Sequence, residues 1–63
     1  MKPGVYFNPE SLEIIELESF NRKHEFEICY WYFDYIRYEE NFNHIRLNSF
    51  RDRIENFKYL GPV

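Results

Sequence analysis

Sixty-three residues make one small domain (1–63) and leave little room for a deep core, because a short chain buries a smaller share of its unfolded surface. The single cysteine, Cys29, excludes an internal disulfide, and nothing has the Cys/His count or spacing of a zinc site; the remaining ways to stabilise so small a scaffold are a rich aromatic core or self-association. Net charge is −3, divided as −5 over residues 1–40 and +2 over 41–63, and that balance suits general nucleic-acid binding poorly, since phosphate neutralisation supplies most non-specific affinity.

Taken in order, Val5-Tyr6-Phe7 predicts a brief strand. Asn8-Pro9-Glu10-Ser11 predicts a type I turn, with Asn first and Pro second. Leu12 to Glu18 then returns as a second strand, favoured over a helix opening at Pro9. Its apolar positions change parity at Ile14–Ile15, which reads as a bulge or as two half-covered faces. Asn21 to His24 is a polar connection. Phe26 to Tyr38 follows, with seven aromatics in 13 residues, a composition that fits a pleated surface better than a helix. Its even positions carry Phe26, Ile28, Tyr30, Tyr32, Asp34, Ile36 and Tyr38; its odd positions carry Glu27, Cys29, Trp31, Phe33, Tyr35 and Arg37. Thirteen residues is long for a strand, so a bend near Asp34 is expected.

Glu39-Glu40-Asn41 predicts the next turn, and Phe42 to Leu47 a fourth strand. Ser49 and Asp52 have the spacing of a capping box, which sets a helix over residues 49–56. Leu47, Phe50, Ile54 and Phe57 share a narrow helical face, whereas Phe42 and Ile45 fall off it, so a single helix from Glu40 is rejected. Phe57 to Leu60 reads as an additional terminal strand, stopped by Gly61-Pro62. The fold class expected is α+β: a small antiparallel sheet of about four strands in the order β-β-β-β-α, with one short helix on one face.

Candidate chemistry is sparse. His24 and His44 are the only imidazoles, and no spacing places either beside Asp34 or Cys29, so both read as surface residues and no catalytic residue, cofactor or metal is assigned. Cys29 has apolar neighbours and an adjoining glutamate rather than a base, the setting of an inert thiol. Asp34 interrupts the aromatic run; it reads as a strand end or a guard against sheet aggregation ahead of a contact to a basic partner residue. Two glycines cannot build a phosphate-binding loop. Arg46, Arg51 and Arg53 form a minor basic cluster.

One argument leads from fold to function. A single two-turn helix covers one side of the aromatic strand and leaves the other uncovered, and a large exposed apolar patch on a small protein marks an interaction site. Tyr30, Trp31, Tyr32, Phe33 and Tyr35 are the expected anchors, since Tyr and Trp bury large rigid area while keeping a polar atom. The helix decides which parity is left free. The expected activity is non-enzymatic protein binding, with a protein partner or a second copy of the chain as occupant. The alternative is a nucleic-acid-related role, either an aromatic single-strand platform or an acidic DNA mimic. No apolar run approaches the roughly 20 residues of a membrane span, no apolar leader follows Lys2, and one thiol fits a reducing cytoplasm.

The opening Gly4-Val5-Tyr6-Phe7-Asn8-Pro9-Glu10, the Glu/Ile-rich second strand and the closing Phe57-Lys58-Tyr59-Leu60-Gly61 resemble the short orphan accessory proteins of tailed phages. That resemblance covers the whole chain in style, without a diagnostic motif. It implies a small factor that binds and inhibits or redirects a host protein, in the host cytoplasm, and it assigns no role to any residue.

Overall fold

A computed structural model describes all 63 residues. Five antiparallel strands form one sheet in the order β4-β3-β2-β1-β5: β1 Gly4–Phe7, β2 Ile14–His24, β3 Glu27–Asp34, β4 Glu39–Arg46 and β5 Lys58–Gly61. Helix α1, Leu47–Ile54, lies between β4 and β5 in the chain. The first four strands are a meander. The helix then carries the chain from the β4 edge back to the far side of β1, where β5 pairs. The α+β class and the terminal strand are as expected.

The strand boundaries differ from expectation, each time for a local reason. Asn8 organises a loop longer than a type I turn. Its Oδ1 accepts from the N–H groups of Glu10 (2.9 Å) and Ser11 (3.3 Å), its carbonyl accepts from Leu12 N–H (2.7 Å), and its own N–H donates to Glu13 O (2.9 Å). Leu12 takes a positive φ of 64° to complete this loop, so β2 starts at Ile14. The parity change sits at Glu18, not at Ile14–Ile15: the β2–β3 register shifts between Leu17 and Ser19. Ile15 and Leu17 face the core before this bulge, and Phe20 after it. Ile14 is half-buried on the opposite face, as the reading of two half-covered faces holds.

Asn21 to His24 is strand rather than connection. The β2–β3 hairpin closes at Glu25-Phe26, with His24 opposite Glu27, so Phe26 stands exposed in a turn. At the other end β3 stops at Asp34. Residues 35–38 form the β3–β4 turn with Tyr38 at φ 58°, and Glu39-Glu40-Asn41 belong to β4. The strand-end reading of Asp34 is the one the chain adopts. Its Oδ1 accepts from the N–H groups of Ile36 (2.9 Å) and Arg37 (3.1 Å), the Asx arrangement that favours chain reversal.

The helix starts two residues before the expected cap. Arg46 is the N-cap with no side-chain capping bond, and Ser49 lies inside the helix, so no capping box forms. The Leu47 N–H instead donates to Phe26 O at 2.8 Å, a tertiary bond that ties the helix start to the β2–β3 turn. At the C-terminus, Arg51 and Arg53 complement the helix dipole.

Phe50 is the helix's one buried residue. Its ring meets Phe20 and Tyr30, each at 5.0 Å between centroids. The core is Tyr6, Ile15, Leu17, Ile28, Tyr30 and Phe50, with Ile54 and Phe57 packed at its margin. A polar clasp locks the helix to the sheet: with its carboxamide oxygen turned inward, Asn43 of β4 accepts from Arg53 at 3.1 Å and from the Tyr30 hydroxyl at 2.9 Å. Gly4 is required where β1 meets β5. It has φ 144°, and a side chain there would collide with Gly61 O and the Tyr59 ring, both 2.6 Å from the added carbon.

Candidate functional site

The helix selects the even face of β3. Ile28, Tyr30, Tyr32 and Asp34 lie on the covered side; Glu27, Cys29, Trp31 and Phe33 lie on the other. This divides the five expected anchors. Tyr30 is only 3% exposed, stacked on Tyr32 at 5.6 Å and wedged under Phe50, so it is a core residue and not a contact residue. Tyr32 is half-buried beside it, and burial above all raises its hydroxyl pKa. Trp31, Phe33 and Tyr35 stand together on the uncovered face.

Register gives that face its layout. One row runs Gly61, Val5, Glu16, Phe33, Glu40 across all five strands. The neighbouring row is Ser19, Trp31, Phe42, and beyond it lie Asn21, Cys29 and His44, then His24, Glu27 and Arg46. On the other side are Lys58, Phe7 and Ile14. Trp31 and Phe42 tilt against each other at 4.9 Å; Phe33 meets Tyr35 and Tyr38 edge-on at 5.1 Å each. Trp31 remains 46% exposed, Phe42 48%, Tyr35 41% and Tyr38 79%. A Trp31–Phe42 pair and a Phe33–Tyr35–Tyr38 group thus share one surface with no second layer of chain above it.

Phe42 and Tyr38 were not among the expected anchors. Placing the turn at Glu39–Asn41 hid them; with the turn at 35–38, Phe42 falls directly opposite Trp31. The clue was Asp34 itself, a turn-former two and three residues before the amides it caps.

Carboxylates border the aromatics. The Tyr35 hydroxyl donates to Glu16 Oε1 at 2.6 Å, and that bond raises the Tyr35 pKa. Glu18, turned out by the bulge, shares a hydrogen bond with Glu40. This bond first, with loss of water and the charges of Glu40 and Glu16 adding to it, pushes the Glu18 carboxyl up to about 7. A carboxyl with a raised folded pKa adds stability below its unfolded value and loses that stability as pH rises through the folded value. Glu18→Gln should therefore raise the melting temperature at about pH 8 and leave it nearly unchanged at about pH 5; solvent screening limits the gain to about 1 kcal/mol or less. Thermal unfolding at the two pH values measures this, and an equal gain at both would refute the shared proton.

Neither histidine hydrogen-bonds to Asp34 or to Cys29, although His44 is the cross-strand partner of Cys29. His24 Nε2 and His44 Nε2 lie 3.1 and 3.4 Å from the same oxygen of Glu27, at the end of β3 opposite Asp34. Cys29, across from His44, is buried although it lies on the uncovered face. No group of three or more His, Cys, Asp and Glu side chains has metal-holding geometry.

On the covered side, helix and sheet leave a cleft of about 490 Å³ lined by Tyr32, Arg37, Arg53, Glu13, Glu39 and Phe57 among others. Its lining carries both signs, Arg37 and Arg53 against Glu13, Asp34 and Glu39. No helix is long and apolar enough to cross a membrane. No protein-family model matches the chain, and no curated protein or solved structure shows significant similarity to it.

Proposed function

We propose that the protein is a non-enzymatic binding module that docks a protein partner on the uncovered face of its sheet, with Trp31, Phe33, Tyr35, Phe42 and Tyr38 as the contact cluster. One observation carries this reading: five aromatics, packed as a Trp31–Phe42 pair and a Phe33–Tyr35–Tyr38 group, four of them more than two-fifths exposed, on a face that the chain has no element to cover. Glu16, Glu18 and Glu40 beside the ring of Phe33 set the single-strand platform at a disadvantage, because a phosphate backbone tracking these aromatics would meet carboxylates. The style shared with phage accessory proteins agrees with a small factor acting by occupying a host protein in the host cytoplasm.

Affinity capture from the native cell with mass spectrometry tests the proposal, with Trp31→Ala as the paired bait. Trp31 is nearly half exposed, so the variant should keep its circular dichroism spectrum. It should lose on the order of 2 kcal/mol of binding, roughly 30-fold in affinity, as anchor aromatics do. A folded Trp31→Ala protein that retains the same partner with the same affinity removes this face from consideration.

A further inference from the structure

Building on that binding face, we propose that its partner presents an arginine, seated over the Phe33 ring between Glu16, Glu18 and Glu40, with apolar neighbours of that arginine resting on Trp31 and Phe42. Register places Glu16 and Glu40 on the two strands flanking Phe33, in the same row and on the same face. With strands about 4.8 Å apart, their Cα atoms stand roughly 10 Å apart across the ring. A guanidinium lying on the ring reaches both sides of that gap, stacking on the aromatic and donating to carboxylates through its planar fork.

Charge excludes the other occupants. The uncovered face holds Glu16, Glu18, Glu27 and Glu40, against Arg46 and Lys58 at its far ends. Two copies packed through this face would bring one acidic set toward the other. An anionic partner would meet the same carboxylates. The neighbouring Glu40 carboxyl raises the Glu18 pKa, so a positive charge between the two is favoured. Arginine supplies that charge permanently and displaces the proton. Lysine supplies it too, yet lacks the planar group that stacks and bridges. The Tyr35 hydroxyl holds Glu16 in place for the contact.

A displayed random-peptide library panned on the immobilised protein at about pH 8, above the Glu18 pKa, tests the proposal. Peptides synthesised from the enriched pool with a fluorescein label are then titrated by fluorescence anisotropy, a readout that survives the loss of Trp31, the only tryptophan. Enriched peptides should carry arginine beside an aromatic or leucine. Their affinity should fall at least tenfold or so on Glu18→Gln/Glu40→Gln, and several-fold for the wild type between about pH 8 and pH 6. Lys58, Glu27, Cys29, Arg46, His24 and His44 are the other charged or titratable side chains in the rows of this face apart from the tyrosines. The pH effect is therefore read as the difference between wild type and the double variant. Peptides that lack arginine, or that ignore the double variant, yet are lost with Trp31→Ala, overturn the arginine assignment and leave the binding face standing. Peptides indifferent to Trp31→Ala, or no enrichment, overturn both. Sedimentation showing a dimer of the wild type that Trp31→Ala dissociates makes a second copy the occupant and overturns the proposal.

Discussion

Phe50→Ala should leave the protein largely unfolded in water at room temperature. Truncating a buried phenylalanine costs about 3–5 kcal/mol, while a domain of this length has roughly 3–9 kcal/mol of stability in all. Phe50 is the helix's one buried residue, and it touches both Phe20 of β2 and Tyr30 of β3, so its loss removes the wedge that holds the helix on the sheet. Nothing nearby can fill the space: Leu47 and Ile54 are already packed at the core margin, and the cleft beside Phe50 is open to water. The clasp of Asn43, Arg53 and Tyr30 would lose its alignment with the helix. Urea titration followed by circular dichroism should show the midpoint lowered by about 3–5 M, given a slope near 1 kcal/mol/M for so small a chain. Phe50→Leu should recover most of that. A Phe50→Ala midpoint within about 0.5 M of the wild type would mean that the sheet stands without its helix.

The features legible in the sequence were those set by residue type over a whole element. The aromatic run of β3, the apolar spacing of Leu47, Phe50, Ile54 and Phe57, and the Gly61-Pro62 stop each point to one structure, and the chain adopts it. The features misread were set by one residue overriding its neighbours. Glu18 bulges out of β2 and exchanges the two faces there, so a pattern read at constant period placed the change four residues early. Asn21 to His24 look like a polar loop because composition was taken for conformation. In a hairpin arm that extends past the core, polar residues are what a solvated strand carries, and those four are all exposed. Leu12 and Tyr38 adopt positive φ without being glycine, which no composition rule anticipates. Three of the five contact residues were therefore legible. Trp31, Phe33 and Tyr35 follow from parity once the helix has taken the even face, whereas Phe42 and Tyr38 depend on where the β3–β4 turn falls.

That turn depends on Asp34, and Asp34→Ala is expected to be the most damaging change outside the apolar core. The residue is 7% exposed, and its Oδ1 accepts from two amides. Leaving these N–H groups without their acceptor costs about 2–3 kcal/mol, or roughly 10–20 °C in melting temperature for a domain of this size. Asp34→Asn keeps an acceptor oxygen in the same place and should lose less than half as much. The pair separates two roles for this charge. A guard against aggregation acts through charge, so alanine and asparagine would be equally harmful and would show it as concentration-dependent precipitation. A turn former acts through the acceptor, so asparagine would stand near the wild type. The consequence reaches the binding face. The turn sets the pairing of Glu39 with Asp34 and, seven residues back along β3, of Arg46 with Glu27. Between these ends Trp31 lies opposite Phe42. A slip of one residue would send Phe42 to the helix side and bring a neighbouring polar asparagine out beside Trp31. Trp31 fluorescence should therefore shift in the folded fraction of Asp34→Ala and stay at its native wavelength in Asp34→Asn. If Trp31 reports the same surroundings in both variants, the register of β3 and β4 is held by the strands themselves and not by the turn.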